Sequence, residues 1–429
     1  MFFEAGSSQV IKPVFSVLTS CGVLSQDGSA AGHRADAGRT PGMPFQFLHK
    51  KRNLHLWAVS LLVVLLTAGF TATQYGFLLS DDISPSKFAG IIQEFSEPGG
   101  YFQSDNFISN EEEYLKVLDK MKELGASGGA YIGVGPEQNF TYIARVKPKI
   151  AFIVDIRRQA MIQQLLYKAL FHLCPNRTEF LSRLLSRPLK GPDAPLPDAS
   201  IDALMRYFSL TPADDHALSS NLTEIKKIIQ EDFKFPLSED DRMSLDYIGK
   251  SFRDDGVFIS FQMDSFRGRS RGGGRFPTMR EILEQRDSRG KYGNFLASDE
   301  DYNFVRKLQK QNRIIPVVGD FAGTKAIKSI AGYLDRQSIP VSVFYISNVE
   351  QFLFQYGEFE AFVKNVKSLP IRPNSLLIRT IANMYRVRSR WPMMETVLQN
   401  LPSFIKNYDA DLYPDYYDLV NSEFISVDP

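Results

Sequence analysis

The chain has 429 residues, 44% of them hydrophobic and 12% aromatic, which is ample material for a large core and excludes a disordered protein. Basic residues number 50 against 49 acidic ones, so the formal charge of +1 gives no global argument for nucleic acid or an anionic surface as partner. Two cysteines, Cys21 and Cys174, and five histidines exclude a disulfide scaffold and leave no metal site of Cys/His spacing.

Residues 1–42 are rich in Gly, Ser and Ala and lack periodicity, and 1–53 read as a disordered, basic N-terminal segment. Met43, followed by "FQFLHKKR", reads as the true initiator. Residues 54–80 open with "LHLWAVSLLVVLLTAGFTATQYGFLL" (54–79), long enough to cross a bilayer as a helix, with Trp57 and Tyr75 near its ends. Arg34, Arg39, Lys50, Lys51 and Arg52 precede it, and Asp81 and Asp82 follow it. The positive-inside rule then predicts a single-pass signal anchor in the lipid bilayer, its N-terminus cytoplasmic and the main domain extracytoplasmic. A cleaved signal peptide is the rival reading, although Thr67–Ala72 makes a poor cleavage site.

Residues 81–128 form a turn-rich entry segment, in which Ser109 is placed to cap a helix through Leu115, Leu118 and Met121 to Gly125. Residues 129–174 then alternate: strand 129–134, helix from Glu137 to about Arg145, strand 149–155, and a helix from Arg157 to about Leu173 that ends on His172 and Cys174 as buried residues. Residues 175–298 read as a mainly helical insertion capping the sheet edge, with one candidate strand at 256–263. The alternation resumes in 299–400 with helix Asp299–Gln311, strand 313–320, helix Thr324–Gln337, strand 341–347, a helix around 357–367 and strand 375–381; the aromatic, acidic tail 401–429 is expected to dock on the core. The expected fold is α/β: a doubly wound, Rossmann-like, mostly parallel sheet with a largely helical insertion, preceded by one transmembrane helix.

In "GVGPEQN" (133–139), Gly133 and Gly135 permit a sharp turn and close approach of the backbone to a ligand, and the helix starting near Glu137 points its positive end at the same place. Asp155, at the end of the second strand, is spaced to bind both ribose hydroxyls. A dinucleotide fingerprint requires a third glycine at 138, where this chain has Gln138 followed by Asn139. That departure favours S-adenosylmethionine over NAD as cofactor. Arg157 suggests a 2′-phosphate, which Asp155 would repel. Asp320 follows the third strand, where it faces an adenine edge or caps the next helix, and Tyr345, Asn348 and Glu350 follow the fourth strand on the substrate side. "GRSRG" (268–272) matches a nucleophile elbow letter for letter, but that chemistry needs a later histidine and none follows His216. The sequons at Asn139, Asn176 and Asn221 matter only in a glycosylating host.

"SEPGGYFQSDNFISNE", "YIGVGPEQNFTYIARVKPKIAFIVDIRRQ", "NRIIPVVGDFAG" and "VFYISNVEQFLF" together resemble a family of uncharacterised bacterial proteins whose Rossmann core is similar to class I methyltransferases. The likeness runs from about residue 90 to 400. It implies Gly133 and Gly135 in the cofactor loop, Asp155 as the acid after the second strand, and Asn348 near the residue that opens the catalytic loop. "SNVE" departs from the Asn-Pro-Pro-aromatic form of enzymes that methylate amino groups.

The resulting expectation is a membrane-anchored, S-adenosylmethionine-dependent methyltransferase-like protein. Gly133, Gly135, Glu137, Asn139, Asp155 and Asp320 would hold the cofactor, and Tyr345, Asn348 and Glu350 would orient an unknown small-molecule or envelope acceptor, with no metal and no nucleic acid. A non-catalytic nucleoside- or glycan-binding scaffold of the cell envelope is the alternative, and an NAD-dependent oxidoreductase the third.

Overall fold

The computed structural model describes residues 82–261, 276–382 and 394–427. Residues 54–79, the "GRSRG" stretch and the end of the candidate strand 256–263 lie outside them. Among the described residues no helix is long and apolar enough to cross a membrane.

Six strands form one sheet in the order β3-β2-β1-β4-β5-β6. They are β1 (Ala130–Gly133), β2 (Ile150–Asp155), β3 (Ile314–Val318), β4 (Val341–Ser347), β5 (Ile371–Ala382) and β6 (Met394–Asn400). The first five run parallel and β6 is antiparallel to β5. Every residue of β1, β2 and β3 is buried, which is why these segments are continuous apolar runs without alternation. The order is that of a Rossmann sheet with its last strand reversed. Sequence reading found five strands and missed β6.

Helices cover both faces. On one side α1 (Gln138–Val146) follows β1, α2 (Arg158–Leu173) follows β2, and α3 (Asp299–Lys310) packs on both before the chain enters β3. On the other side α4 (Ala326–Arg336) links β3 to β4, α5 (Val349–Tyr356) and α6 (Phe359–Lys367) link β4 to β5, and α7 (Leu401–Asp409) packs back on β5. Helix α5 was not expected. The aromatic tail does dock on the core, since Ile425 bridges Leu398 of β6 and buried Tyr413 accepts a hydrogen bond from Gln399.

The entry segment differs most from expectation. A helix, Pro85–Phe95, is capped by Ser84 and packs along edge strand β3, covering a strand that tolerates Pro316 because one of its sides is unpaired. The chain then runs across the strand ends: Glu97 N donates to Val318 O at 2.8 Å and Gly100 N to Ile156 O at 2.7 Å. Ser109 caps no helix; the helix here is only Val117–Glu123, and the Ser109 hydroxyl accepts from Glu111 N and donates to Gln138.

The insertion is helical, as expected, and packs on α2. Its candidate strand is instead a 3-10 turn, Gly256–Phe258, followed by a single bridge between Ser260 and Thr278. At the end of α2, Cys174 is buried as expected, but His172 is exposed, 3.9 Å from Asp232.

Candidate functional site

A cavity of about 270 Å³ opens at the carboxyl ends of β1, β2, β3 and β4, at the point where the strand order reverses between β1 and β4. In open α/β sheets this crevice is the place for a ligand, because no crossover helix covers it. Its floor and walls come from Val134–Pro136, Val154–Arg157, Gly319–Phe321 and Tyr345–Val349, and its remaining walls from the strap 101–111 and from Phe352, Leu353, Tyr356 and Glu358.

Of the nine residues singled out in the sequence, Gly135, Asp155, Asp320, Tyr345 and Asn348 line this cavity. Gly135 has φ +81°, and a Cβ there would meet only Asn106 Nδ2 at an ordinary contact distance of 3.8 Å, so its glycine serves the turn. Gly133 faces inward: a Cβ there would lie 2.0 Å from Asn139 Oδ1 and 2.8 Å from the Tyr131 ring. Its missing side chain makes room for Asn139, not for a ligand.

Asn139 is itself fully committed. Its Nδ2 donates to the carbonyls of Val134 (2.9 Å), Gly135 (3.2 Å) and Pro136 (2.8 Å), while Oδ1 accepts from Tyr131 OH at 2.8 Å. It braces the loop from behind, is fully buried, and is therefore neither a cofactor ligand nor a sequon that a glycan could reach in the folded chain. Glu137 is also buried off the cavity. Its Oε1 accepts from Ser109 N at 3.3 Å, its Oε2 has no partner, and burial pushes the carboxyl up to about 7 against the pull of the backbone N–H groups of Glu137 and Ser109.

Asp155 reaches the cavity but is held by Arg157. Oδ1 accepts from Arg157 N (2.9 Å) and Nε (3.0 Å), and Oδ2 from Nη2 (2.9 Å). The remaining guanidinium donor, Nη1, binds the carbonyls of Ser104 (2.8 Å) and Asp105 (2.5 Å), so this pair fastens the strap to the end of β2. The expected repulsion of a phosphate thus takes another form: the one guanidinium that the described residues bring to the site is spent on protein groups.

Glu350 does not face the substrate side. It points into the core, where its carboxylate forms a bidentate pair with Arg379, Nε to Oε2 at 2.7 Å and Nη2 to Oε1 at 3.0 Å. Burial raises its pKa and the guanidinium opposes that shift. The third strand end is held by Glu97, whose Oε1 accepts from Lys325 N (2.6 Å) and Ala326 N (2.9 Å) and whose Oε2 accepts from Asp320 N (3.0 Å). Glu97 therefore occupies the amino end of α4, and the Asp320 carboxylate caps its own turn by accepting from Ala322 N at 2.8 Å.

Glu111 is the residue that sequence reasoning missed. It is 1% exposed, lines the cavity, and has Oε1 accepting from Tyr345 OH (2.6 Å) and Ser347 Oγ (2.7 Å), and Oε2 from Gln138 Nε2 (2.7 Å). Burial, then the Glu111 charge, holds the Tyr345 phenol well above its usual range. Ser347 reaches it because β4 ends in a register shift with Ser347 at φ +52°. Gln138 thus stands where a dinucleotide loop would need glycine because its amide supports Glu111.

Residues 106–188 and 219–415 match the model of a family described as "Domain of unknown function (DUF7790)". No curated protein matches the chain.

Proposed function

We propose, for a chain that belongs to the DUF7790 family, that the cavity binds a nucleoside-type cofactor without phosphates, S-adenosylmethionine, and that the protein is methyltransferase-like. The observation that carries this reading is the charge of the cavity wall. Among the described residues Glu111, Asp155, Asp320 and Glu358 line it against the single guanidinium of Arg157, and that guanidinium is spent on Asp155 and two carbonyls. Among the described residues a pyrophosphate would meet four carboxylates and no free cation, whereas a sulfonium would be attracted. The same wall disfavours NAD.

Gly135, Asp155 and Asp320 would hold the cofactor, which when bound supplies an electrophilic methyl group; Tyr345 and Asn348 would orient the acceptor. Direct methyl transfer needs alignment of donor and acceptor more than acid–base chemistry, so the task of these residues is positioning. Titration of the purified full-length chain with S-adenosylmethionine and with NAD is the test: heat with the first and none with the second is expected, and no heat with S-adenosylmethionine refutes the reading.

A specific observation favours the alternative of a non-catalytic binding module. Asp155 and Glu350, the carboxylates assigned to cofactor and acceptor, both spend their oxygens on arginines. Full retention of ligand binding in Asp155→Ala would favour that module over an enzyme. Attachment to a bilayer through residues 54–79, with the domain on the extracytoplasmic side, remains part of the proposal; reporter fusions after residue 100 test it.

A further inference from the structure

We propose that Glu111 is the anchor of a subsite for a primary ammonium group carried on an apolar body. The carboxylate is buried at the cavity wall, yet its three partners, Gln138, Tyr345 and Ser347, are all neutral. Among the described residues no lysine, arginine or histidine forms an ion pair with it. A buried charge without a counter-ion is costly, and hydrogen bonds from neutral donors offset only part of that cost. A carboxylate has about four lone-pair sites, and three here are filled, two on Oε1 and one on Oε2. The open one belongs to a group that lines the cavity, so an N–H donor bearing positive charge completes both the hydrogen bonding and the charge.

The remaining wall selects what the ammonium is attached to. Phe102 and Phe352 meet edge to face at 5.3 Å, and Tyr101 (78% exposed) and Tyr356 (67% exposed) extend that apolar lip into solvent. Aromatic faces attract organic cations and cover apolar groups, whereas they offer nothing to a hydrated metal ion. Among the described residues no cluster of three or more His, Cys, Asp or Glu side chains could hold a metal. The cavity of about 270 Å³ accommodates a ring-sized body, since a cavity of about 150 Å³ holds benzene. As the acceptor end of a methyl transfer this subsite rests on the methyltransferase reading; as a binding site it does not.

The probes are benzylamine, benzyl alcohol and benzoate, which share size and ring but differ in charge, titrated calorimetrically into the full-length chain at pH 7.5 alongside S-adenosylmethionine. Benzylamine is expected to bind at least tenfold tighter than benzyl alcohol, with no detectable binding of benzoate. Glu111→Gln, checked for folding by its denaturation midpoint, is expected to lose at least tenfold in benzylamine affinity while leaving benzyl alcohol unchanged. Equal affinities for amine and alcohol on the natural chain overturn the proposal even if the variant does not fold, and so does a folded variant that binds benzylamine undiminished. Amine binding without S-adenosylmethionine binding would sink the methyltransferase reading and keep this one; the reverse result would do the opposite.

Discussion

Replacing Glu137 by glutamine tests whether the residue after Gly-Val-Gly-Pro is a ligand contact or a buried, poorly solvated carboxyl. In the folded chain burial raises it to about 7, and Oε2 has no partner. Between the ordinary carboxylate range and 7 the native state holds more protons than the unfolded one. Its stabilising contribution is therefore complete at low pH and is lost as pH rises through 7. From pH 5 to pH 8 that loss amounts to roughly 2–3 kcal/mol. Glutamine cannot ionise but brings an amide donor with no assured partner, a cost of about 1 kcal/mol. Glu137→Gln is thus expected to be slightly less stable than the natural chain at pH 5 and about 1–2 kcal/mol more stable at pH 8. Urea unfolding midpoints of both chains at pH 5, 6, 7 and 8, at constant ionic strength, measure the crossing. Parallel midpoint curves would refute the reasoning, because they would mean that Glu137 titrates alike folded and unfolded.

Four further substitutions separate bracing from binding. Gly133→Ala drives a Cβ into Asn139 and Tyr131 and should cost about 3 kcal/mol in thermal unfolding, whereas Gly135→Ala meets no clash and only the strain of positive φ, about 1 kcal/mol. Equal losses would show that the loop is not braced from behind. Arg379→Met leaves the Glu350 carboxylate buried and unpaired, and should lower stability by about 3–5 kcal/mol without changing ligand affinity of the folded fraction. Glu97→Ala removes the acceptor of three backbone N–H groups, so the amides of Asp320, Lys325 and Ala326 should exchange faster with deuterium while those of β1 stay protected.

Much of the core was legible because its signals are local. Apolar runs such as "KIAFIVD" mark strands buried on both faces, and the amphipathic spacing of Arg157–Leu173 marks the helix between them; β1, β2, β3 and β4 lie within a residue or two of where they were expected. Strand β6 was missed because "METVLQN", on a reversed edge strand, is neither a continuous apolar run nor a clean alternation of polar and apolar residues. The site was legible only in outline. Gly135, Asp155 and Asp320 come together because a Rossmann sequence places them at neighbouring strand ends, a consequence of topology alone.

The sequence by itself determined the class of fold, the position of the crevice and the identity of the loop that forms its first edge. Only the tertiary structure decided what each polar side chain does there. Whether a carboxylate faces a ligand or an arginine depends on contacts that reach across the chain: Arg157, the partner of Asp155, with the strap carbonyls, Glu350 with Arg379, Glu97 with the turn after β3. Glu111 illustrates the limit, since in the sequence it stands only at the start of a helix expected to be capped by Ser109. It becomes a buried anchor because Gln138, Tyr345 and Ser347, from two other segments, converge on it. Periodicity reports which residues are buried, but hydrogen-bond partners separated by more than 200 residues leave no mark in it.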